Sequence, residues 1–418
     1  MSWLRFYPDV ILKKGYVNST LYFLGEKKTI VLTGRESELL NYLLEHSVEQ
    51  AKDTFGSELV ECAINKVLDS GMGNLYDNKV FAEKYKPNID FFVEQFFQDR
   101  FSIYEFCVQL PVSEDSEYRA PKNVLVHEGC NSCLVPDIDV MDAVSYRQLL
   151  YNNLKLIRGV NVNHFTIQGG NPLDNWELVM ELLQEAKEGF KCMTELVFPN
   201  KPISRDIVEQ LKAYNVLVKL SLYAEEIIEQ NEVFTNNVNL LIQEDMDVKV
   251  NVIYHSKSYV YPSAVNEVIK QLGIDNKDCT HLICGPKDKL IALSTNIDRV
   301  ENIGPDGYYS KRSCMLGRIA ITADGFIRPC SFNSHVIGYL SHGIMTVFEK
   351  DLHTKFWRHS KEDVQRCRGC ENRYACMDCA SLEEYIDQDE KYLSVLCNYN
   401  PEEGIWVDEA LREEDFAW

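Results

Sequence analysis

Between residues 122 and 286 the hydrophobic pattern switches repeatedly from short strand-like runs to longer stripes with helical spacing, and this alternation restricts the fold more than any other feature. Strands are expected over residues 123–127, 164–168, 195–198, 216–222, 248–254 and 281–284, with helices over 146–157, 175–187, 203–214, 236–244 and 264–272. Strands that take turns with helices form parallel sheets through crossover connections, which places the chain in the α/β class. Six such steps make either a partial (β/α)6 barrel or an open parallel sheet, and in both the ligands gather at the carboxyl ends of the strands.

A chain of 418 residues exceeds one compact core and implies two or three domains. Ahead of the alternating region, strand-like runs at 10–14 and 21–32 are broken at Gly25 and followed by a stripe of Leu39, Leu40, Leu43 and Leu44 over 36–46. A second helix is expected over 58–68, stopped by Gly71, Gly73 and Asn74. Strands followed by helices resemble a small winged helix; an ordinary α+β cap fits the same pattern. With 43 basic against 64 acidic residues the net charge is -21, which argues against nucleic acid, whose binding rests on Lys and Arg neutralising phosphates. No apolar run approaches the ~18 residues of a membrane span, so the expectation is a cytoplasmic protein without a membrane partner.

Cytoplasmic thiols stay reduced, so fourteen cysteines point to metal or cluster ligation instead of disulfides. Eight of the fourteen lie between Cys284 and Cys397, whereas Cys62, Cys107 and Cys192 sit singly in apolar surroundings, as core thiols do. Cys314 and Cys330 flank a hairpin that turns at Asp324-Gly325, which should bring them close. Then follow Cys367-x2-Cys370-x5-Cys376-x2-Cys379 and Cys397. Paired Cys-x2-Cys units let two thiolates from one turn reach one metal centre, and both zinc and iron–sulfur clusters accept that donor set.

The run from Gly325 to Cys330, followed by Cys-x2-Cys-x5-Cys and two further cysteines, resembles the seven-cysteine SPASM domain of radical-SAM peptide maturases. The resemblance implies one or two auxiliary [4Fe-4S] clusters, with Cys367, Cys370, Cys376 and Cys397 on one and Cys314, Cys330 and Cys379 on the other. The fourth ligand of the second would be Cys284 or Cys279, or the site would stay open. Arg318, Arg328, Arg366, Arg368 and Arg373 would offset the negative charge of the clusters, or be solvated. One departure is visible: only Met377 and Asp378 separate Cys376 from Cys379, where the family has three residues.

The same resemblance extends to the alternating region. The segment ending His127-Glu128-Gly129-Cys130-Asn131 is similar to the strand and turn that lead into the Cys-x3-Cys-x2-Cys loop of that superfamily. With Cys130 as first ligand the other two positions hold Leu134 and Asp137; with Cys130 and Cys133 as the last two, the first holds Val126. Neither register supplies three cysteines, and rescue would need Asp137, His127 or Cys107. Gln168-Gly169-Gly170-Asn171-Pro172 resembles the Gly-Gly-Glu-Pro motif for the amino group of S-adenosylmethionine, with Asn171 replacing the carboxylate. Leu220-Ser221-Leu222-Tyr223 resembles Ser-Leu-Asp-Gly, with Tyr223 replacing aspartate. Gly169, Gly170, Asn171 and Ser221 would thus form a degenerate cofactor site.

The resemblance is strongest to pseudo-radical-SAM proteins of ribosomal peptide-modification systems in Bacteroidales. It implies a pseudoenzyme that binds a precursor (leader) peptide and a catalytic radical-SAM maturase, with no S-adenosylmethionine of its own. The rival classes are an active radical-SAM maturase, an electron-transfer protein using the auxiliary clusters, and a zinc-stabilised scaffold. The expected domains are an N-terminal α+β unit over 1–118, a degenerate barrel over 119–290, a SPASM domain over 291–400 and an acidic tail over 401–418.

Overall fold

The computed structural model describes residues 1–23, 28–80, 102–111, 119–120, 124–126, 135–136, 141–255, 262–275, 278–286, 315–331, 333, 335–358, 365, 367–373 and 399–406. The first 80 residues build β1 (Trp3–Phe6), an antiparallel sheet of β2 (Val10–Lys14), β3 (Ser19–Phe23) and β4 (Lys28–Leu32), three helices, and β5 (Gly73–Tyr76), which returns to pair with β1. Leu21 and Leu32 of the sheet meet Leu39, Leu40 and Leu43 of the helix Gly34–Leu43 and Ala63 and Val67 of the helix Ser57–Asp69 in one core. Between these two helices runs Val48–Phe55, which the leucine stripe did not announce; it is started by Ser47 and Gln50, whose side chains cap each other's backbone N–H groups. Four strands, three helices and a fifth strand thus make up this end of the chain.

The rest of the described chain is organised by one sheet. It contains β6 (Ser102–Gln109), β8 (Val124–Val126), β10 (Asn161–Gln168), β11 (Met193–Pro199), β12 (Val216–Tyr223), β13 (Val248–His255), β14 (Cys279–Pro286), β15 (Arg318–Ile321), β16 (Phe326–Arg328) and β17 (Gly338–Tyr339). The order across it is β17-β16-β15-β6-β10-β11-β12-β13-β14-β8. All pairings from β15 to β14 are parallel, and the outer pairings at both edges are antiparallel. Two short pairs stand apart: β7 (Arg119–Ala120) with β9 (Val135–Pro136), and β18 (Tyr399–Asn400) with β19 (Ile405–Trp406). A mixed α/β fold built on a largely parallel sheet is therefore what the chain adopts.

One assignment is corrected. The strand expected over 123–127 does not open the parallel series; Val124–Val126 runs antiparallel along β14 at the far edge. Its place beside β10 is taken by β6, which the expected boundary after residue 118 had left with the N-terminal unit. The reason is burial: β6 is eight residues long and drives Ile103, Phe106 and Val108 into the main core, whereas β8 has three residues. Alternation along one strand reveals its two faces and says nothing about its neighbour.

On the helix-covered face, Phe106, Phe165, Leu196, Leu220 and Val252 cluster with Leu154, Leu182, Leu211 and Leu241 of the crossover helices. Each such side chain contributes roughly 1.5–3 kcal/mol relative to exposure. Trp357, fully buried, closes the C-terminal side of this core and donates its indole N–H to the Arg318 carbonyl at 3.0 Å. No helix among the described residues is long and apolar enough to cross a membrane.

Candidate functional site

Parallel strands buried on both faces normally read as continuous apolar runs. Here each central strand carries a polar residue among its alternate positions, and period-2 geometry sends these to the face away from the helices. Glu105 sits on β6, Thr166 on β10, Glu195 on β11, Lys219 and Ser221 on β12 and Asn251 on β13, all buried or nearly so. Glu105 bridges two neighbours: Arg318 of β15 donates Nε to it at 3.0 Å, and Thr166 donates its hydroxyl at 3.0 Å. Lys219, 2% exposed, pairs with Glu195 across β11 and β12 at 2.8 Å. Asn251 donates Nδ2 to Ser221 Oγ at 2.9 Å, the two being register partners.

At the carboxyl ends of β6 and β10 lie Gln109 and Gln168, also register partners, each 1% exposed. Gln109 donates Nε2 to the Ser331 carbonyl at 3.3 Å, yet neither Oε1 has a hydrogen-bond partner among the described residues. A buried acceptor left unmatched costs about 1–3 kcal/mol, and this pair stands where parallel sheets bind ligands. Glu226, just beyond β12, accepts from the Tyr223 N–H at 2.8 Å and from Asn200 Nδ2 at 2.9 Å, tying together the ends of β11 and β12. Of these residues, Glu105, Gln109, Thr166, Gln168, Glu195, Lys219, Glu226 and Asn251 were not singled out from the sequence. The signal that could have found them is the polar alternation itself, as in Val218-Lys219-Leu220-Ser221.

The expected cofactor residues lie at the ends of β10 and β12. Gly169 and Gly170, with φ of +87° and +57°, turn the chain out of β10 in a conformation that glycine adopts without strain. Asn171 then caps the turn Pro172–Asn175: its Oδ1 accepts from the Leu173 N–H at 3.2 Å, and its Nδ2 donates to Asp174 at 3.0 Å. Ser221 is held by Asn251. Tyr223 ends β12 at the start of the short helix Ala224–Ile228.

Of the expected cysteine ligands, Cys130, Cys133, Cys314, Cys376, Cys379 and Cys397 lie outside the described residues. Cys330 is buried just after the expected hairpin β15–β16. Cys367 and Cys370 share a turn closed by the Cys370 N–H to the Cys367 carbonyl at 3.0 Å, and both are part-exposed. Two thiols on one turn fit a thiolate-bound cluster or metal ion. Among the described residues, no three His, Cys, Asp or Glu side chains converge as a metal site. Of the arginines expected to offset cluster charge, Arg318 and Arg328 are committed to Glu105 and to Asp324, the latter at 2.9 Å, and Arg373 donates to the Cys370 carbonyl at 2.6 Å.

The Cys367–Cys370 turn is clamped against the N-terminal sheet. The Gly369 carbonyl accepts from the Tyr16 N–H at 3.0 Å, and Thr20 donates to Asn372 at 3.2 Å. Tyr22 donates to the Glu371 carbonyl, and Tyr399 to its carboxylate. Asn18 donates Nδ2 to the Tyr399 hydroxyl and to the Gly404 carbonyl, each at 2.9 Å.

No protein-family model and no curated protein matches this chain. Among solved structures, SuiB of Streptococcus suis bound to the precursor peptide SuiA is 16% identical, with 95% of this chain and 100% of SuiB covered and a TM-score of 0.43. SuiB bound to S-adenosylmethionine gives 15%, 95%, 100% and 0.40. For anSMEcpe with bound AdoMet the identity is 15%, the coverage 70% of this chain and 94% of that one, and the TM-score 0.48. With every one of these scores below 0.5, the functional reading rests on the residues of this chain.

Proposed function

We propose that this chain is a pseudo-radical-SAM protein of SPASM type, which binds a precursor peptide and a catalytic maturase without cleaving S-adenosylmethionine itself. The observation that carries the reading is the state of the strand ends. The first parallel strand, β6, is followed by twenty residues without a cysteine, where the three-cysteine loop would stand. Asn171, in the position of the carboxylate that meets the cofactor's ammonium, is spent on capping its own turn. The cysteine framework in the last third of the chain supports auxiliary clusters, held by Cys367, Cys370, Cys376 and Cys397 and by Cys314, Cys330 and Cys379.

The N-terminal unit would receive the leader peptide. Among the described residues its β4 is an edge strand with one side unpaired, and Val31 on it is 39% exposed, features that suit strand addition by an extended peptide. Anaerobic reconstitution with iron and sulfide, followed by reduction in the presence of S-adenosylmethionine, tests the central claim. The expected result is about four or eight irons per chain and no 5'-deoxyadenosine. About twelve irons together with 5'-deoxyadenosine would establish the active-maturase reading in its place.

A further inference from the structure

The crossover helices Ala143–Leu156 and Trp176–Gln184 bury Leu150, Leu154, Val179 and Leu182 in the main core and leave an open groove of about 760 Å³ on their outer side. Tyr151, Met180 and Tyr214 line it, with Tyr151 44% exposed and Val144 at its rim 77% exposed. Tyrosine, methionine and arginine are the side chains that protein interfaces collect. From Val144 to Arg158 the groove follows the chain for about 20 Å at 1.5 Å per helical residue, the length of four helical turns.

One wall of the groove is acidic. Glu177, Glu181, Glu185 and Glu188 follow at helical spacing from Trp176–Gln184 into the π-helical turn Glu185–Phe190, a form rare in helices and frequent at functional sites. Two arginines cross from the opposite wall: Arg147 donates Nε to Glu181 at 2.9 Å and reaches Glu177 at 3.3 Å, and Arg158 donates Nε to Glu185 at 2.5 Å. Four carboxylates thus face two guanidiniums. The Glu177 side chain is 87% exposed, and Glu188, also exposed, makes no ion pair among the described residues. The nearby lysines turn to the rings instead, Lys155 Nζ lying 4.1 Å from the Tyr151 centroid and Lys187 Nζ 5.2 Å from that of Tyr214. Both rings therefore already attract cations.

We propose that this groove docks a basic amphipathic helix of a partner protein, with the apolar stripe of that helix on Val144, Tyr151 and Met180 and its lysines or arginines at Glu177 and Glu188. Charge selects this occupant: a net charge of -21 repels a second copy of the chain and any acidic partner, and draws a basic one. In helix-in-groove recognition, anchors at i, i+3, i+4 and i+7 supply the affinity and the flanking charges the choice of partner. The groove is separate from the N-terminal sheet edge and needs no cluster, so its failure and that of the reading above are independent.

The test follows, by fluorescence anisotropy, the binding to the full-length protein of a labelled synthetic helix of about 18 residues, with leucines at i, i+3, i+4 and i+7 and lysines beside them. The same helix with glutamates for lysines is the charge control and should bind at least about tenfold more weakly. Tyr151→Ala and Glu188→Lys should each weaken the lysine helix roughly tenfold. Leu352→Ala, at an apolar residue 42% exposed outside the groove, should match the wild type. Hydrogen exchange should show protection confined to residues 143–158 and 176–190. Absence of binding overturns the proposal. So does equal binding of the two helices, or binding that neither groove variant weakens, since either means unspecific attraction to an acidic chain. Because Tyr151→Ala could act by distorting its helix, Gln148→Trp, which fills the groove from an exposed position, is the second variant: lost binding with an unchanged thermal transition supports docking there, and retained binding refutes it.

Discussion

Lys219 and Glu195 show what the polar face demands of single residues. Both are largely withdrawn from water and pair with each other, so removing one leaves the other's charge less compensated in the interior, which destabilises the fold. Lys219→Met should therefore lower the urea midpoint sharply, and adding Glu195→Gln should recover much of the loss. Gln168 presents the opposite case. Its Oε1, unmatched among the described residues, is a standing penalty, so Gln168→Leu should stabilise the ligand-free protein by about 1 kcal/mol in denaturant titration. A loss of stability would instead mean that a ligand or ordered water satisfies the carboxamide. Cys107 belongs to the same face: burial pushes its thiol well above the ordinary cysteine range, and the charges of Glu105 and Cys330 push it further.

The element that joins the two ends of the chain is the turn from Cys367 to Cys370. A methyl group at Gly369 would run into the ring of Tyr16, so this turn accepts no side chain there while it is docked on the N-terminal sheet. Gly369→Ala should cost about 1–3 kcal/mol through overpacking and should speed proteolysis of the N-terminal unit. The double variant with Tyr16→Ala should restore resistance, because the clash and not the turn itself is at fault. The strand–helix alternation was legible at this scale: the expected strands over 195–198, 216–222 and 248–254 fall within β11, β12 and β13. The helix Val48–Phe55 was not, since its short amphipathic stretch carries no leucine stripe. The roles of Asn171 and Ser221 also escaped, because a motif match locates a residue without saying which neighbour takes its hydrogen bonds.

For the whole molecule the position of β6 matters most. It pairs with β15 on one side and β10 on the other, so it links the C-terminal module to the crossover region. A chain beginning at Arg119 should therefore aggregate, whereas one beginning just before Ser102 should keep a cooperative thermal transition; circular dichroism and gel filtration distinguish the two. The sequence by itself determined the local elements: hydrophobic periodicity names helices and strands, and cysteine spacing names a thiolate framework. Tertiary structure alone decided which strand lies beside which and that polar residues of six strands share one face. The physical reason is that strand pairing and polar satisfaction are settled by burial between segments far apart in the chain, Ser102–Gln109 against Arg318–Ile321 above all, and no local pattern records the partner.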